Sequence, residues 1–493
     1  MKRNILFAVA IVVFAATVFI ALAPSAWAVP TYSRRYGMEC SGCHTMWGAL
    51  NGAGVTFRLS GYRAINGKDL VPVEKDIELS PGNVIPSTFP FSIITGVGYD
   101  SRSLKLEGPG GNTTLKGSSL SLEDASLFLT GPIGPHLSAF IEFPMYETKE
   151  GEFTPVGASD ANPANYPKGA LQFQTEKPGF EVAKFWWNNL LGDSAPRDSV
   201  NLLAGITHLP LGYASGKVRL SVNQYPIYER RALDLIRGSK DVESAVPPAP
   251  GTDLGELGLF RLSEPQVLAE VNGMIAPGGA VTDVSKKETF WMEYHAGITN
   301  GTQDQADNNN KKDVYGRFVM RWYRQSLGFF ALHSSDQYSD TIRSIGGFMG
   351  TNDAKNSASR LGIDATLSLT GIGIPVWLEN QYMTNKESNP TEHGVAFKWQ
   401  GGFDQLNWQI SKKAITYARY DWIKGGSFDD SAAGGSTTSK PKETDVVAGV
   451  QYLAQQNVKL IAEYRHDVFQ DQATTPATKI TGDGYTLRAM FGF

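Results

Sequence analysis

The chain closes on Tyr485-Thr486-Leu487-Arg488-Ala489-Met490-Phe491-Gly492-Phe493. In an extended backbone, Tyr485, Leu487, Ala489, Phe491 and Phe493 share one face, and Thr486, Arg488, Met490 and Gly492 share the other. Period-two alternation marks a strand. The question it leaves is which face meets water.

The same theme runs back through the chain as far as Phe89, in segments of about ten residues separated by turns or polar loops. Leu361 to Leu369 and Val446 to Tyr452 show it clearly. In Trp291 to Ile298, one face carries Met292, Tyr294, Ala296 and Ile298, and Glu293 and His295 point the other way. In Val314 to Arg324, Arg317 and Arg321 lie with Tyr315 and Tyr323, opposite Phe318, Met320 and Trp322. So many charges cannot form the packed core of a soluble sandwich without partners. They can line a polar lumen, with the apolar face turned to lipid.

Connection lengths agree. Short turns are expected near Gly131 to Pro135, Gln325-Ser326, Thr370 to Gly373, Ser411-Lys412 and Gln455-Gln456. Long polar stretches from Asn300 and from Lys424 alternate with them. Short turns on one rim and long loops on the other are the build of a bacterial outer-membrane barrel. The segments add up to an all-β, antiparallel transmembrane barrel of about 16 strands, an even number in the expected range. Lys217 to Tyr225 reads either as an additional strand or as part of a long loop. A terminal strand ending on phenylalanine resembles the C-terminal signal of such barrels and puts the C-terminus at the periplasmic rim.

The first residues fit that destination. Lys2 and Arg3 precede an apolar run from Ile5 to Leu22, and Ala26-Trp27-Ala28 supplies small residues for cleavage. This is the layout of a signal peptide over 1–28, although the run approaches the length of a membrane anchor. The 493 residues hold 52 Gly, 11% aromatic and 19% charged residues, with a formal net charge of -4. Without a basic face, nucleic acid is not an expected partner.

The only two cysteines stand together in Cys40-Ser41-Gly42-Cys43-His44. In an exported protein two cysteines first suggest a disulfide, but that leaves His44 without a role. Zinc would need two further ligands nearby, and the next histidine is His136. C-x-x-C-H is the attachment signature of c-type haem. Cys40 and Cys43 would each form a thioether to the haem, and His44 would bind its iron. One such site implies one haem c per chain. Trp47, Leu50, Gly54 and Phe57 then recur at helical spacing and predict a haem-packing helix.

The module and its linker, 29–88, span about 60 residues, too few to enclose a haem alone. Shelter inside the barrel, 89–493, is therefore expected. The second axial ligand is not evident in the module. By strand parity His295 and Met490 point into the lumen and His466 points outward, which makes His295 the distal-ligand candidate. Asp304, Asp307, Asp429 and Asp430 in the long loops are candidate cation contacts or ordinary solvated acids.

Over Tyr36 to Tyr62 the chain resembles the fused monohaem cytochrome-porins of outer membranes, best known from iron-oxidising bacteria. Gly37-Met38, the C-x-x-C-H, Leu50-Asn51, Gly54, Phe57-Arg58 and Gly61-Tyr62 carry the likeness. Gly48 and Val55 depart from the family pattern, which has proline and arginine there. The resemblance implies an outer-membrane electron-transfer protein acting as an Fe(II) oxidase at the cell surface. Electrons from extracellular Fe(II) would pass through the haem to periplasmic c-type cytochromes, with both termini on the periplasmic side. Two alternatives stand beside it. One is a porin for anions or small solutes with an attached haem domain, its path lined by Arg317, Arg321, Arg360, Arg419 and Arg488. The other is outward electron transfer to an extracellular acceptor.

Overall fold

The computed structural model describes residues 31–492, apart from 66–67, 70–74, 76, 82, 86–90, 109–110, 134–135, 156–170, 177–179, 216–218, 238–260, 279–280, 282–288, 302–310, 338–354, 391–393, 431–436 and 473–477. The expected signal peptide, Phe493 and about half of the linker lie outside the described residues.

The barrel strands are β1 Phe91–Gly108, β2 Gly111–Pro132, β3 Leu137–Pro155, β4 in two pieces, Leu171–Glu176 and Val182–Trp187, β5 Asn201–Thr207, β6 Gln266–Ile275, β7 Phe290–Thr299 and β8 Asp313–Trp322. They continue as β9 Gln325–Gln337, β10 Lys355–Ser368, β11 Val376–Glu387, β12 Phe397–Ser411, β13 Ala414–Gly425, β14 Pro441–Gln455, β15 Val458–Asp471 and β16 Thr478–Gly492. Both pieces of β4 pair antiparallel with β3, Leu171 opposite Pro155 and Trp187 opposite Leu137, so they form one interrupted strand. Every neighbouring pair is antiparallel, and β16 closes on β1 from Lys479 opposite Glu107 to Gly492 opposite Ile94. The result is a closed 16-stranded antiparallel barrel. Closure removes the unpaired edges that a bilayer would not tolerate.

Strand parity is as the alternation predicts. Phe318 and Trp322 are exposed on the outer face, at 38% and 40%, and Tyr315 and Arg317 are buried inside, at 5% each. Ile298 and Leu487 face outward, and Glu293, His295 and Arg488 inward. The apolar outer face with a polar interior is the build of an outer-membrane β-barrel of porin type. The rim that carries the C-terminus has short turns, including Tyr323-Arg324, Lys412-Lys413 and Gln456-Asn457, a residue or two from their expected places. The far rim carries the longest connections, while 188–200 and 276–289 are longer connections on the C-terminal rim.

Two segments of the chain occupy part of the lumen. The longest connection, between β5 and β6, turns back inside as Leu209, Leu211, Tyr213, Tyr225, Ile227 and Tyr228, all buried. The described part of Lys217 to Tyr225, residues 219–225, is therefore part of a long loop and not a barrel strand. The short helices α3 Pro226–Glu229 and α4 Ala232–Arg237 belong to this inward loop. Arg230 grips Glu443 of β14 at 2.8 and 2.6 Å. Glu463 of β15 accepts from the Val222 and Asn223 amides and the Ser221 hydroxyl, each at 2.9 Å, and from Tyr417. Arg419 of β13 donates to the Asn223 and Gln224 carbonyls at 2.9 and 3.2 Å and lies 4.2 Å over the Tyr225 ring. These buried, charge-assisted contacts hold the loop in one seat.

The N-terminal segment occupies the other end of the lumen. Arg63 donates to Ser138 Oγ at 3.0 Å and to the Leu137 carbonyl at 2.7 Å. Asn188 donates to the Ser60 carbonyl, and Lys459 to the Trp47 carbonyl at 3.2 Å. All four wall residues sit at the C-terminal rim, Leu137, Ser138 and Lys459 beside short turns and Asn188 in the connection 188–200.

Candidate functional site

The N-terminal segment consists of α1 Thr31–Tyr36, a 3-10 turn Cys40–Gly42, a hairpin pairing His44 with Leu50, and α2 Gly52–Leu59. The expected helix thus begins at Gly52, not at Trp47. Gly48 takes a φ of +105° at the hairpin turn, with the Arg219 carbonyl 2.8 Å from where a Cβ would stand. Proline, fixed near φ −65°, cannot occupy that turn.

Asn51 organises the loop. Its side-chain oxygen caps α2 by accepting from the Gly54 amide at 3.0 Å, and its amide donates to the Ser41 and Gly42 carbonyls at 3.1 and 3.2 Å. Its backbone N–H donates to the Cys43 carbonyl at 2.9 Å. One residue therefore ties the start of α2 to the cysteine loop. Gly54 completes the fit, because a Cβ there would lie 2.1 Å from the Cys43 carbonyl oxygen. Asparagine directly before a helix was the sequence signal for this role.

Cys40 and Cys43 are free thiols. Cys40 Sγ lies 3.9 Å from the Gln456 carbonyl, at the C-terminal rim. Burial pushes the Cys43 thiol up to about 11, with Cys40 adding to it, and burial raises Cys40 as well. Neither is poised as a thiolate for disulfide exchange. His44 is held neutral, its pKa lowered to about 4 by burial and then by Lys459. Its Nδ1 is buried with no hydrogen-bond partner.

Cys40, Cys43 and His44 line a cavity of about 1290 Å³ between the N-terminal segment, the inward loop and the wall. That volume exceeds the usual 300–1,000 Å³ of small-molecule sites. A large cavity, two adjacent thiols and a neutral imidazole with an orphaned nitrogen fit a covalently held haem.

His295 lines the same cavity, but its Nδ1 is 2.7 Å from Glu270 Oε1 and its Nε2 is 4.0 Å from Glu293. Met490 also lines it and packs against Gly96 of β1. Met46 does not serve the site, being buried among Leu220, Trp377, Ile415 and Tyr417. His466 faces outward and pairs with Asp483 at 2.9 Å. The five lumen arginines all stand beside carboxylates. Arg317 pairs with Asp364 at 2.7 Å, Arg321 with Glu293 at 2.9 Å and Arg419 with Asp421 at 2.7 Å. Arg360 is 4.0 Å from Glu387, and Arg488 is 3.9 Å from Asp100. Their charges are compensated within the wall. Of the loop acids, Asp304 and Asp307 lie outside the described residues, and Asp429 is exposed on a short far-rim hairpin.

No protein-family model matches the chain, and no curated protein is significantly similar to it. Solved barrels do resemble it. The anion-selective porin from Comamonas acidovorans shares 9% identity at a TM-score of 0.46, covering 82% of this chain and 99% of that one. The outer membrane channel DcaP of Acinetobacter baumannii shares 10% at 0.43, covering 82% and 97%. OmpT, an outer membrane protein of Vibrio cholerae, shares 9% at 0.41, covering 82% and 98%. The likeness is one of barrel architecture, and what those proteins conduct does not transfer at such identities.

Proposed function

We propose that this outer-membrane barrel is an electron-transfer protein that houses one haem c at the C-terminal, periplasmic end of its lumen. The observation that supports the reading most is the placement of Cys40, Cys43 and His44 on a cavity closed in by two lumen-filling segments. The thiols of Cys40 and Cys43 would each add S–H across a haem vinyl group, and the neutral His44 imidazole would coordinate the iron. Bound there, haem supplies reversible one-electron exchange. Asn51 and Gly54 fix the loop that carries the ligands, and the aromatic cluster of Tyr32, Phe57, Tyr62 and Trp186 packs behind it and excludes water. With an insulating core about 30 Å thick, a carrier inside the lumen shortens the distance between donors and acceptors on the two sides. Extracellular Fe(II) is the proposed donor and a periplasmic c-type cytochrome the proposed acceptor.

The second reading is passage of anions or small solutes. The barrel itself favours it, since this architecture is that of a channel, and it supports a channel more directly than it supports electron transfer. The segments inside the lumen and the compensated arginines favour the first reading.

Two measurements separate them. Haem-loaded protein mixed with Fe(II) near the growth pH of the source organism should show haem reduction within seconds, and His44→Ala should lose it while the barrel stays heat-modifiable on gels. No reduction counts against iron oxidation, and steady open-porin conductance in planar bilayers favours the second reading. Reduced protein losing its electron to an extracellular acceptor, without accepting one from Fe(II), would establish outward flow.

A further inference from the structure

Arg58 stands four residues after Gly54 on α2, hence on the same helix face one turn further along. That face abuts the Cys43 carbonyl at Gly54, and Arg58 lines the cavity with Cys40, Cys43 and His44. The charged groups within electrostatic reach of its guanidinium are Glu293, Arg321 and Arg317. Each of these is already committed: Glu293 receives two hydrogen bonds from Arg321, at 2.9 and 3.1 Å, and Arg317 binds Asp364 through two, at 2.7 and 2.8 Å. The Arg58 side chain makes no hydrogen bond or ion pair among the described residues. A half-buried cation on the cavity wall that has no counter-ion of its own gains from taking one from a bound group.

We propose that Arg58 binds a carboxylate of the bound group, a haem propionate. The assignment rests on the haem reading above. A haem tethered by its vinyl carbons to Cys40 and Cys43, at the rim, carries its two propionates on the opposite edge of the macrocycle, away from the cysteines. The guanidinium fork matches a carboxylate through two parallel hydrogen bonds. Arg58 is a binding residue with an electrostatic consequence: it offsets negative charge beside the iron and so favours the reduced form. A free oxyanion such as phosphate has the same donor requirements, and the test tells the two apart.

The test compares wild type, Arg58→Leu and Arg58→Lys as haem-loaded, detergent-purified proteins, by haem stain on denaturing gels and by spectroelectrochemical titration with and without inorganic phosphate. Arg58→Leu should keep its covalent haem stain, yet at a fixed potential its ratio of oxidised to reduced haem should rise about tenfold, which is 59 mV for one electron. Arg58→Lys should stay close to wild type, and phosphate should move none of the three. If Arg58→Leu does not fold, Arg58→Gln removes the charge at nearly constant volume. A stained charge-removing variant with the wild-type potential overturns this assignment alone. A wild-type potential that moves with phosphate while that of Arg58→Leu does not assigns Arg58 to a free oxyanion instead. A wild type without covalent haem overturns both this assignment and the reading beneath it.

Discussion

Glu463 is the single wall residue on which the inward loop most depends, and Glu463→Ala is the direct way to loosen it. Its carboxylate accepts from the amides of Val222 and Asn223 at 2.9 Å each and from the hydroxyl of Ser221 at 2.9 Å. The hydroxyl can rotate to another acceptor, but the two amides are fixed by the backbone and have none within the loop. At about 1–3 kcal/mol for each buried donor left unpaired, the substitution removes ~2–6 kcal/mol from the seated state. At 1.4 kcal/mol per tenfold, the ratio of released to seated loop rises roughly 30-fold to 20,000-fold. Arg230 and Arg419 still hold the loop, so the expected result is intermittent opening rather than permanent release. Single-channel recording in planar bilayers should show brief conductance steps in Glu463→Ala against a nearly silent wild type, with Glu463→Gln between them. A heat-modifiable Glu463→Ala barrel as silent as wild type would refute the claim that this carboxylate holds the loop.

Two further outcomes can be checked separately. Gly54→Ala places a methyl group 2.1 Å from the Cys43 carbonyl oxygen, so α2 must withdraw at a cost of about 1–3 kcal/mol; the covalently haem-loaded fraction should fall several-fold on a stained gel while heat-modifiability is kept. Asp234, in the inward loop, is pushed up by burial but more than recovered by Arg231 and Arg261, which hold it at about 2 against an ordinary 3.8. Because its folded pKa is depressed, its contribution to the loop's own fold is complete above about pH 4 and is lost as pH falls through 2; if a loosened loop also leaves its seat, conductance should rise between those limits, and Asp234→Asn should conduct alike at both.

The wall was legible because a lipid-facing barrel writes its inside and outside into alternate residues. Glu293 and His295, or Arg317 beside Phe318, announce their faces without any knowledge of their partners. Turns slipped by a residue or two, as at Tyr323-Arg324, because alternation does not say where pairing stops. The motif at Cys40 to His44 was legible as chemistry, but the helix behind it was read too long: a stripe at Trp47, Leu50 and Gly54 can be supplied by a hairpin, and Gly48 was the residue that should have warned of one. The inward loop was not legible. Tyr225, Ile227 and Tyr228 bury themselves against a wall assembled from β11 to β15, and no local pattern encodes a surface brought together from five strands. The clue lay in so much aromatic and aliphatic material in a connection that should have been polar.

The wall is not of even height. β1, β2 and β3 run 18, 22 and 19 residues, whereas β5 runs 7 and β6, β7 and β8 run 10 each. At about 3.4 Å per residue and a tilt near 40°, the low side rises roughly 18–26 Å, no more than the height of the lipid belt, and the high side roughly 45–55 Å. The far mouth is thus cut obliquely, like a hooded vent. Among the described strands, a body too large to enter the mouth would meet the high side first. The shape sorts visitors by size and bearing before any side chain in the lumen meets them.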